Sequence, residues 1–280
     1  MSALPRLAPA VDTQAIGRAA VVALYDELAL APKPGLVSFV DSGSHADMHA
    51  GTLLRSLFAL RRYFPVIAAA GAEDADFAAL QRLGIAAEAR MLAATGGINT
   101  HRGAVFTLGL LCAAAGRQLA RGAAASPAAL RTGLLDRWGD DLDALARRSR
   151  RSHGRDAAQR YGLRPAAREA ALGFPVLFDV ALPALRGSRH LGPRLARLQA
   201  LFEVMAVLDD TNLAHRGGLA GLRWAQQQVR GFLAAGGAAN PEAVAHAQSL
   251  HAAFVAHHLS PGGAADLLAA ACWLDRVCTA

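Results

Sequence analysis

The chain has 280 residues, enough to bury a substantial core, and it is 53% hydrophobic but only 6% aromatic. Alanine and leucine therefore supply most of the apolar surface, which favours close-packed helices over a β-sheet. The formal net charge of +7 suits a polyanionic partner, but scattered basic residues without interleaved aromatic ones argue against a nucleic-acid-binding surface.

Apolar residues recur at steps of three and four along most of the chain, which predicts helices. Asp12 or Thr13 can cap the first helix, and Pro32 and Pro34 end it. Ser126-Pro127 and Asn240-Pro241 are start signals for two later ones. The predicted helices cover roughly residues 14–31, 47–70, 75–94, 102–121, 128–148, 165–185, 194–208, 219–235, 241–257 and 263–277.

Strands and domain boundaries leave no signal in the sequence. No run alternates between polar and apolar residues over more than four positions, and no fixed-period repeat or long linker divides the chain. The sequence predicts one all-α domain over residues 1–280, with about nine or ten helices. The dense basic run at 147–155 is interpreted as a solvated helix end or a mobile loop.

Compartment can be inferred from three negative features. Cys112, Cys272 and Cys278 fit no zinc motif, and their odd number and apolar surroundings favour free thiols in a reducing compartment. The chain shows no secretory signal and no span of about 18 uninterrupted apolar residues. We therefore expect a cytoplasmic protein that binds neither membrane nor nucleic acid.

Polar residues concentrate in a few junctions between helices, and the first is 31–48. Its prolines and Gly35 predict a rigid turn that needs a positive φ. Lys33 is the only lysine of the chain, and it is either a phosphate ligand or an ordinary surface lysine. His45 and Asp47 follow, and Asp47 is either a helix-dipole partner or a metal-binding or basic carboxylate.

The second junction, 95–106, combines a helix start with cationic side chains. Asn99 or Thr100 can cap the next helix, and the backbone N–H groups there join His101 and Arg102 in a candidate anion cradle. The third junction, 164–175, contains Arg168 and Glu169, which point about 100° apart on a helix. A solvated charge pair is the simpler explanation for them.

The fourth junction, 208–218, reads LDDTNLAHRGG. Asp209 and Asp210 end an apolar helix, where two carboxylates resist desolvation unless a cation such as Mg²⁺ offsets them. Polar residues follow them, and glycines permit close backbone approach: Thr211, Asn212, His215, Arg216, Gly217 and Gly218.

The fifth junction, 257–274, starts with two histidines of weak signal and a Ser-Pro helix start. Gly262 and Gly263 allow a ligand or a neighbouring helix to approach. Asp266 is either a dipole partner or another acid that faces the same cation as the Asp pair.

Taken together, the motifs PKPGLV, GSHADM, GINTHRGAVFTLGLL, REAALGFP, DDTNLAHRGG and SPGGAADLLA resemble the triphosphoribosyl-dephospho-CoA synthase family. The resemblance covers roughly residues 20–275 in the family's order. It implies an all-α fold and a reaction of ATP with 3′-dephospho-CoA that gives 2′-(5″-triphosphoribosyl)-3′-dephospho-CoA and adenine. This product is the prosthetic-group precursor of citrate lyase and malonate decarboxylase.

The resemblance is carried residue by residue, with three small departures. Ser38 stands where the family often has an acid, Arg102 where a lysine is usual, and Ala264 where a serine is common. Arg102 keeps the charge but replaces a point charge by a planar fork. The matched positions are Lys33, Gly35, His45, Asp47, Asn99, His101, Gly103, Arg168, Glu169, Asp209, Asp210, Asn212, Arg216, Gly217, Gly218 and Asp266.

These matches lead to expected roles. Mg²⁺ is expected to be held by Asp209 and Asp210, with Asp47 and Asp266 as further ligands. The base is expected to be one of those carboxylates or Glu169, and the sequence does not choose between them. Residues expected to contact substrates and their phosphates are Lys33, Gly35, His45, Asn99, His101, Arg102, Arg168, Asn212, His215, Arg216, Gly217, Gly218, Gly262 and Gly263.

Other functions remain open from the sequence. ADP-ribosyl hydrolases also place Asp-Asp-Thr on helices around metals, whereas a prenyl synthase motif would need an acid where Leu213 stands. A non-catalytic helical partner of an acyl carrier subunit is a third possibility. For the synthase, we expect the product to pass to an acyl-carrier-protein transferase, with malonate decarboxylase favoured over citrate lyase and a homodimer plausible.

Overall fold

The computed structural model describes residues 11–147 and 153–278, and it contains helices and no strand within those ranges. The all-α prediction is therefore confirmed. The basic run at 147–155 lies mostly outside the described residues: Arg147 ends one helix and His153 begins the next. What the intervening residues do stays a prediction.

The first four helices cover residues 13–95. Asp12 caps the first, as predicted, by accepting a hydrogen bond from Ala15 N at 2.7 Å. The predicted helix at 47–70 is two helices, because the chain turns at Arg61 and Arg62. The helices are α1 (Thr13–Ala29), α2 (Ala50–Leu60), α3 (Tyr63–Ala72) and α4 (Phe77–Thr95).

Helix α5 (Arg102–Ala120) runs through the centre and packs closely along α3. Gly71 and Gly116 let the two backbones approach, since a Cβ at either glycine would overlap a main-chain oxygen of the other helix. By length and hydropathy α5 is the one described helix that could span a membrane, but 72% of that window is buried inside the protein. A core helix meets the same criteria, so this is weak evidence for a membrane span.

The middle of the chain contains shorter elements. Ser126 accepts a hydrogen bond from Ala129 N, which confirms the predicted start of α6. The predicted helix at 165–185 is divided by a turn after Ala171, where Gly173 and Phe174 have positive φ, and its second part begins with a π-helical stretch, Val176–Ala181. The α-helices here are α6 (Pro127–Arg147), α7 (His153–Tyr161), α8 (Ala166–Ala171) and α9 (Leu182–Gly187).

The last four helices complete the fold. Helix α11 is kinked at Gly218, whose φ of 65° and ψ of −170° lie outside the helical region. Short 3₁₀ turns, Arg189–Leu191 and Gly237–Ala239, precede two of these helices. The helices are α10 (Pro193–Val207), α11 (Thr211–Ala234), α12 (Ala243–Ala256) and α13 (Gly262–Val277).

One continuous cluster of buried apolar residues connects these elements, from Ile16 in α1 to Leu274 in α13. Alanine dominates the crossing of α5 and α13, which lets the helices lie close together. Trp273 is fully buried there, and its Nε1 donates to the Ile16 carbonyl oxygen at 3.1 Å. This core holds in place the helix ends that surround a cavity.

Candidate active site

A cavity of about 610 Å³ opens between the ends of several helices, within the size range of small-molecule sites. Polar side chains and helix starts form one part of its wall, and apolar side chains form the other. The polar lining residues are Glu27, His45, Asp47, Glu88, Asn99, Thr100, His101, Arg102, Thr211, Asn212, His215, Arg216, Ser260 and Asp266.

Three helices direct their N-terminal turns at this cavity. Helix α5 contributes Arg102 and Gly103, α11 contributes Thr211 and Asn212, and α13 contributes Gly262 and Gly263. The dipole of a helix N-terminus favours an anion, although Asp210 already accepts from Asn212 N in α11 and Ala264 N in α13. The convergence of three such ends makes this part of the wall suited to phosphate groups.

The loop at 31–48 forms another part of the wall and is held by the α12–α13 junction. Ser44 Oγ donates to the Leu259 carbonyl oxygen at 2.6 Å. Gly35 has a φ of 66°, as its predicted turn requires, and a Cβ there would overlap the Leu259 oxygen. Arg194 donates to the Ala31 carbonyl oxygen at 2.8 Å. The loop is therefore a fixed wall of the cavity.

His45 is held between Arg216 and Ser260. Arg216 Nη2 lies 3.0 Å from His45 Nδ1, and because a guanidinium can only donate, Nδ1 accepts. His45 Nε2 then carries the proton and donates to Ser260 Oγ at 2.9 Å. Burial and the charge of Arg216 lower the pKa of His45, so the neutral ring is favoured. Asp47 Oδ1 is 3.6 Å from Nδ1, too far for a hydrogen bond.

Arg216 lines the cavity, but its terminal nitrogens already have protein partners. Besides His45, Arg216 donates to the carbonyl oxygens of Ser44 and His258, at 3.0 and 3.2 Å. It thereby connects the loop at 31–48, the turn after α12 and helix α11. Its main effect in this structure is to fix the wall of the cavity.

Lys33 does not face the cavity, contrary to its expected contact with phosphate. Its side chain is 1% exposed, and Nζ donates to Glu27 Oε1 at 2.5 Å and to the Glu27 carbonyl oxygen at 2.6 Å. Burial lowers the pKa of Lys33, and the charge of Glu27 partly offsets this effect. The sequence could not reveal this position, because the residue stands between two prolines as a surface turn residue would.

Two carboxylates line the cavity: Glu27, which is buried, and Asp266, which is partly buried. Asp266 lies deep in the protein, and its remaining exposed surface faces the cavity. Burial raises the pKa of Asp266 well above its usual range, and the charges of Glu27 and Asp210 raise it further. Gly103 lets Asp266 approach α5, because a Cβ there would overlap Asp266 Oδ2. A cation or a bound proton would relieve this repulsion.

The Asp209–Asp210 pair, expected to bind the metal, does not line the cavity. Asp210 is the N-cap of α11: its Oδ1 accepts from Asn212 N at 2.9 Å. Its Oδ2 accepts from Ala264 N in α13 at 3.0 Å. Asp209 Oδ2 accepts from Arg164 N at 3.1 Å. The helix-boundary explanation therefore accounts for the aspartates as well, because a buried carboxylate can be stabilised by backbone N–H groups instead of a metal.

Arg168 and Glu169 also lie away from the cavity. Arg168 Nη1 donates to Asp143 at 2.6 Å on the surface. Glu169 is buried, lies 3.2 Å from Arg164 Nε and accepts a hydrogen bond from Val176 N at 3.3 Å. Burial raises the pKa of Glu169. Both side chains join neighbouring elements in this structure, and neither reaches the proposed reaction site.

Some of the remaining expected contact residues line the cavity, and others do not. Gly217 and Gly218 are not part of the lining, and a Cβ at Gly217 would overlap Leu259. These glycines serve packing and the kink of α11. Of the expected substrate contacts, the structure brings together His45, Asn99, His101, Arg102, Asn212, His215, Arg216, Gly262 and Gly263.

The expected metal ligands Asp47, Asp209, Asp210 and Asp266 do not form one site. Within the described residues, no three His, Cys, Asp or Glu side chains are gathered in a way that could hold a metal ion. Mg²⁺, however, often takes only one or two protein carboxylates and completes its shell with substrate phosphates and water. The cavity carboxylates Glu27 and Asp266 fit that kind of site.

Several cavity residues were missed from the sequence. Glu27 lies within an ordinary helical pattern, and Glu88 in α4 pairs with Arg102 at 3.0 Å. Ser56 is fully buried in α2, and its Oγ lies 2.6 Å from His101 Nδ1. Glu27 offered one signal: a carboxylate inside the mostly apolar first helix, six residues before the only lysine.

Comparisons with known proteins agree on one family. The family model described as ATP:dephospho-CoA triphosphoribosyl transferase matches residues 13–280. No solved structure matches the chain.

Curated relatives match over almost their whole length, and three of them are named "Probable 2-(5''-triphosphoribosyl)-3'-dephosphocoenzyme-A synthase". The relative from Pseudomonas paraeruginosa is 42% identical, over 99% of this chain and 96% of its own. That from Azotobacter vinelandii is 43% identical, over 92% and 89%. That from Acinetobacter calcoaceticus is 38% identical, over 91% and 88%.

Proposed function

Since the chain belongs to the ATP:dephospho-CoA triphosphoribosyl transferase family and is a transferase, we propose that it joins the triphosphoribosyl group of ATP to 3′-dephospho-CoA. In the proposed reaction, the 2′-hydroxyl of dephospho-CoA attacks C1′ of the ATP ribose. The C1′–N9 bond breaks, its electron pair goes to adenine, and the hydroxyl proton goes to a base. The product is 2′-(5″-triphosphoribosyl)-3′-dephospho-CoA.

The observation that carries this proposal is the convergence of three helix N-termini on one cavity. The first turns of α5, α11 and α13 line the same wall. The reaction brings together a triphosphate and the diphosphate of dephospho-CoA, both of which such helix ends favour. Arg102 adds a guanidinium group at the start of α5, although this group also forms an ion pair with Glu88 in this structure.

We propose Mg²⁺ as the counter-ion of the triphosphate, with Glu27 and Asp266 as its protein carboxylates. When bound, the ion would neutralise phosphate charge and relieve the repulsion between these two acids. This assignment replaces the Asp209–Asp210 pair, whose oxygens accept backbone hydrogen bonds.

We assign to Asp47 the role of general base, which takes the proton of the incoming hydroxyl. Glu27 is paired with Lys33, and Glu88 with Arg102, whereas Asp47 is exposed at the rim with the neutral His45 as its neighbour. At that position Asp47 can meet an acceptor substrate that enters after ATP. Cleavage of the bond at C1′ develops oxocarbenium character, so a nearby carboxylate also stabilises the reacting sugar.

The direct test is incubation with Mg²⁺, ATP and dephospho-CoA, followed by mass detection of the product and chromatography of adenine. We expect equal amounts of product and adenine, and no adenine when dephospho-CoA is left out. Adenine release from ATP alone would favour a hydrolase and contradict the transfer. Asp47→Asn should lower kcat by about 10²-fold, whereas Asp136→Asn, on the exposed face of α6, should have no effect.

We also propose that the reaction takes place in the cytoplasm. Its product would pass to a transferase that modifies an acyl carrier protein, and we favour the carrier protein of malonate decarboxylase over that of citrate lyase. All three cysteines are free and buried, which supports a reducing compartment. A homodimer is proposed because large apolar side chains such as Tyr25, Phe39 and Phe58 are exposed. Sedimentation velocity would test the dimer, and transfer to each purified carrier protein would test the pathway.

A further inference from the structure

His101 has one ring nitrogen held by the protein and one without a partner. Its side chain lines the cavity although only 5% of the residue is exposed. Nδ1 lies 2.6 Å from Ser56 Oγ, whereas Nε2 is buried and has no hydrogen-bond partner among the described residues. Buried polar atoms are rarely left unpaired, so a missing partner points to a ligand.

The hydrogen bond with Ser56 determines which nitrogen carries the proton. Ser56 is fully buried, and within the described part of the chain its hydroxyl has only His101 Nδ1 as a side-chain hydrogen-bond partner. The hydroxyl must donate its proton there, so Nδ1 accepts. Burial and the nearby charge of Lys33 lower the pKa of His101 to about 4, so the ring is neutral at pH 7. The single ring proton is therefore on Nε2.

The surroundings indicate what kind of acceptor this N–H group meets. Ser56 lies one turn from Leu53 on α2, and Leu53 lines the cavity together with Leu24 and Phe106. An apolar wall beside a buried, unpaired ring nitrogen suits the flat, weakly polar edge of a nucleobase. A phosphate suits this part of the wall less well, because its charge would be buried against leucine and phenylalanine.

We propose that His101 Nε2–H donates a hydrogen bond to a ring nitrogen of the adenine that leaves, and that Ser56 is its positioning residue. This inference rests on the proposed function. In this proposal, the partner of His101 is the adenine base and not the phosphates. As the C1′–N9 bond breaks, its electron pair enters the purine and makes N3 and N7 better acceptors.

The hydrogen bond therefore strengthens towards the transition state, which is where it accelerates the reaction. The imidazole keeps its proton throughout. The 2′-hydroxyl releases one proton to the general base, and adenine takes up one proton from solvent, so the number of protons is balanced.

The test combines enzyme variants with ATP analogues that lack one acceptor. Wild type, His101→Ala and His101→Gln are assayed with ATP, 3-deaza-ATP and 7-deaza-ATP in the presence of dephospho-CoA. With ATP, His101→Ala should lower kcat by about 10²-fold, and His101→Gln, which keeps an N–H donor, should lose much less. With the analogue that lacks the true acceptor, wild type and His101→Ala should differ little.

An equal loss in His101→Ala with ATP and with both analogues would overturn the proposal, because the histidine would then serve another purpose. Ser56→Ala gives an independent check: kcat should fall about tenfold with the same dependence on the analogue. His190→Gln, at an exposed histidine outside the cavity, is the matched control and should leave kcat unchanged.

Nitrogen NMR separates this inference from the proposed function. In protein labelled with ¹⁵N-histidine, the signals lost in His101→Gln should show an unprotonated Nδ1 and a protonated Nε2 at pH 7. The opposite tautomer would overturn the proposal even if the enzyme is active. Absence of product from wild type would instead contradict the proposed function, while the tautomer could still be determined.

Discussion

Lys33 and His101 show how burial determines the behaviour of single polar residues in this protein. Lys33 is almost completely buried and bonded to Glu27, and its charge helps to keep His101 neutral. A reading of residue types alone assigns both to phosphate binding, because a cation in a turn usually faces solvent or a ligand. Their partners are six and 45 positions away, and the distant one becomes a neighbour only after folding.

The first prediction concerns the pH dependence of stability at His101. Its pKa is about 4 in the folded protein and about 6.5 in the unfolded chain. The unfolded state therefore binds the extra proton first as the pH falls, and the free energy of unfolding decreases between about pH 6.5 and 4. At about 1.4 kcal/mol per pKa unit, the loss is on the order of 3 kcal/mol.

The measurement is urea denaturation at several pH values for wild type and His101→Gln. Glutamine does not titrate, so the variant should lose less stability over that range than wild type. Curves that stay parallel from pH 7 to 4 would contradict the assignment of a buried neutral ring.

A second prediction concerns Gly103, whose missing side chain makes room for Asp266. A Cβ would overlap Asp266 Oδ2, so Gly103→Ala should displace that carboxylate and lower both kcat and stability, the latter by about 1–3 kcal/mol. Gly231→Ala is the control, since Gly231 is an exposed helical residue with open space around it. The control should be stabilised by about 0.5–1 kcal/mol. Equal thermal shifts in both variants would refute the steric argument.

Among the helices, Asp210 joins α11 to α13. One carboxylate oxygen caps α11, and the other accepts from Ala264 N in the first turn of α13. Burial raises the pKa of Asp210, and its backbone hydrogen bonds oppose that rise. Two of the three helix starts that face the cavity therefore depend on one side chain for their relative position.

The third prediction follows from this connection. Asp210→Ala removes the cap and leaves a buried N–H group unpaired, so the free energy of unfolding should fall by about 2–4 kcal/mol. Asp210→Asn should lose less, because its single oxygen can still cap α11. Both can be measured by thermal denaturation, and the Mg²⁺ dependence of activity in the Asn variant should match wild type. A changed Mg²⁺ dependence at unchanged stability would restore Asp210 as a metal ligand.

Helix positions were largely predictable from local signals. Proline, glycine and capping residues mark most ends, as Asp12 and Ser126 do.

The breaks inside two predicted helices carry signals of the same kind, which the apolar periodicity concealed. Pro65, in the first turn of α3, has no N–H group and cannot continue a helix from Arg61. Gly173, with a φ of 72°, and Pro175 mark the break after α8. The sequence did not show that Val176–Ala181 would be π-helical.

At the scale of the whole molecule, one core connects α1 to α13, and the single-domain prediction can be tested by cooperativity. The tryptophans are well placed for this, because Trp138, Trp224 and Trp273 lie in α6, α11 and α13. We expect one unfolding transition, with coincident midpoints by tryptophan fluorescence and far-ultraviolet circular dichroism. Two separated transitions would indicate two independently stable units.

The position of the candidate site, like the positions of the helices, was largely predictable. The junctions at 31–48, 95–106, 208–218 and 257–274 do meet at one cavity, because each lies at a helix end on the same side of the core. Which carboxylates face inward was not predictable, since Asp209 and Asp210 directly precede the cavity residues Thr211 and Asn212 in the sequence. Side-chain direction there depends on hydrogen bonds to Arg164 and Ala264, which are distant in sequence.

The buried position of Lys33 has a practical consequence for studying motion. The folded protein presents no accessible ε-amine within its described part, since the only one in the chain is enclosed beside Glu27. Amine-reactive reagents should therefore acylate Lys33 only during transient openings of the loop at 31–48. The rate of that labelling, read by mass spectrometry of the peptide that contains Lys33, would report how often the loop opens and whether substrates suppress the opening.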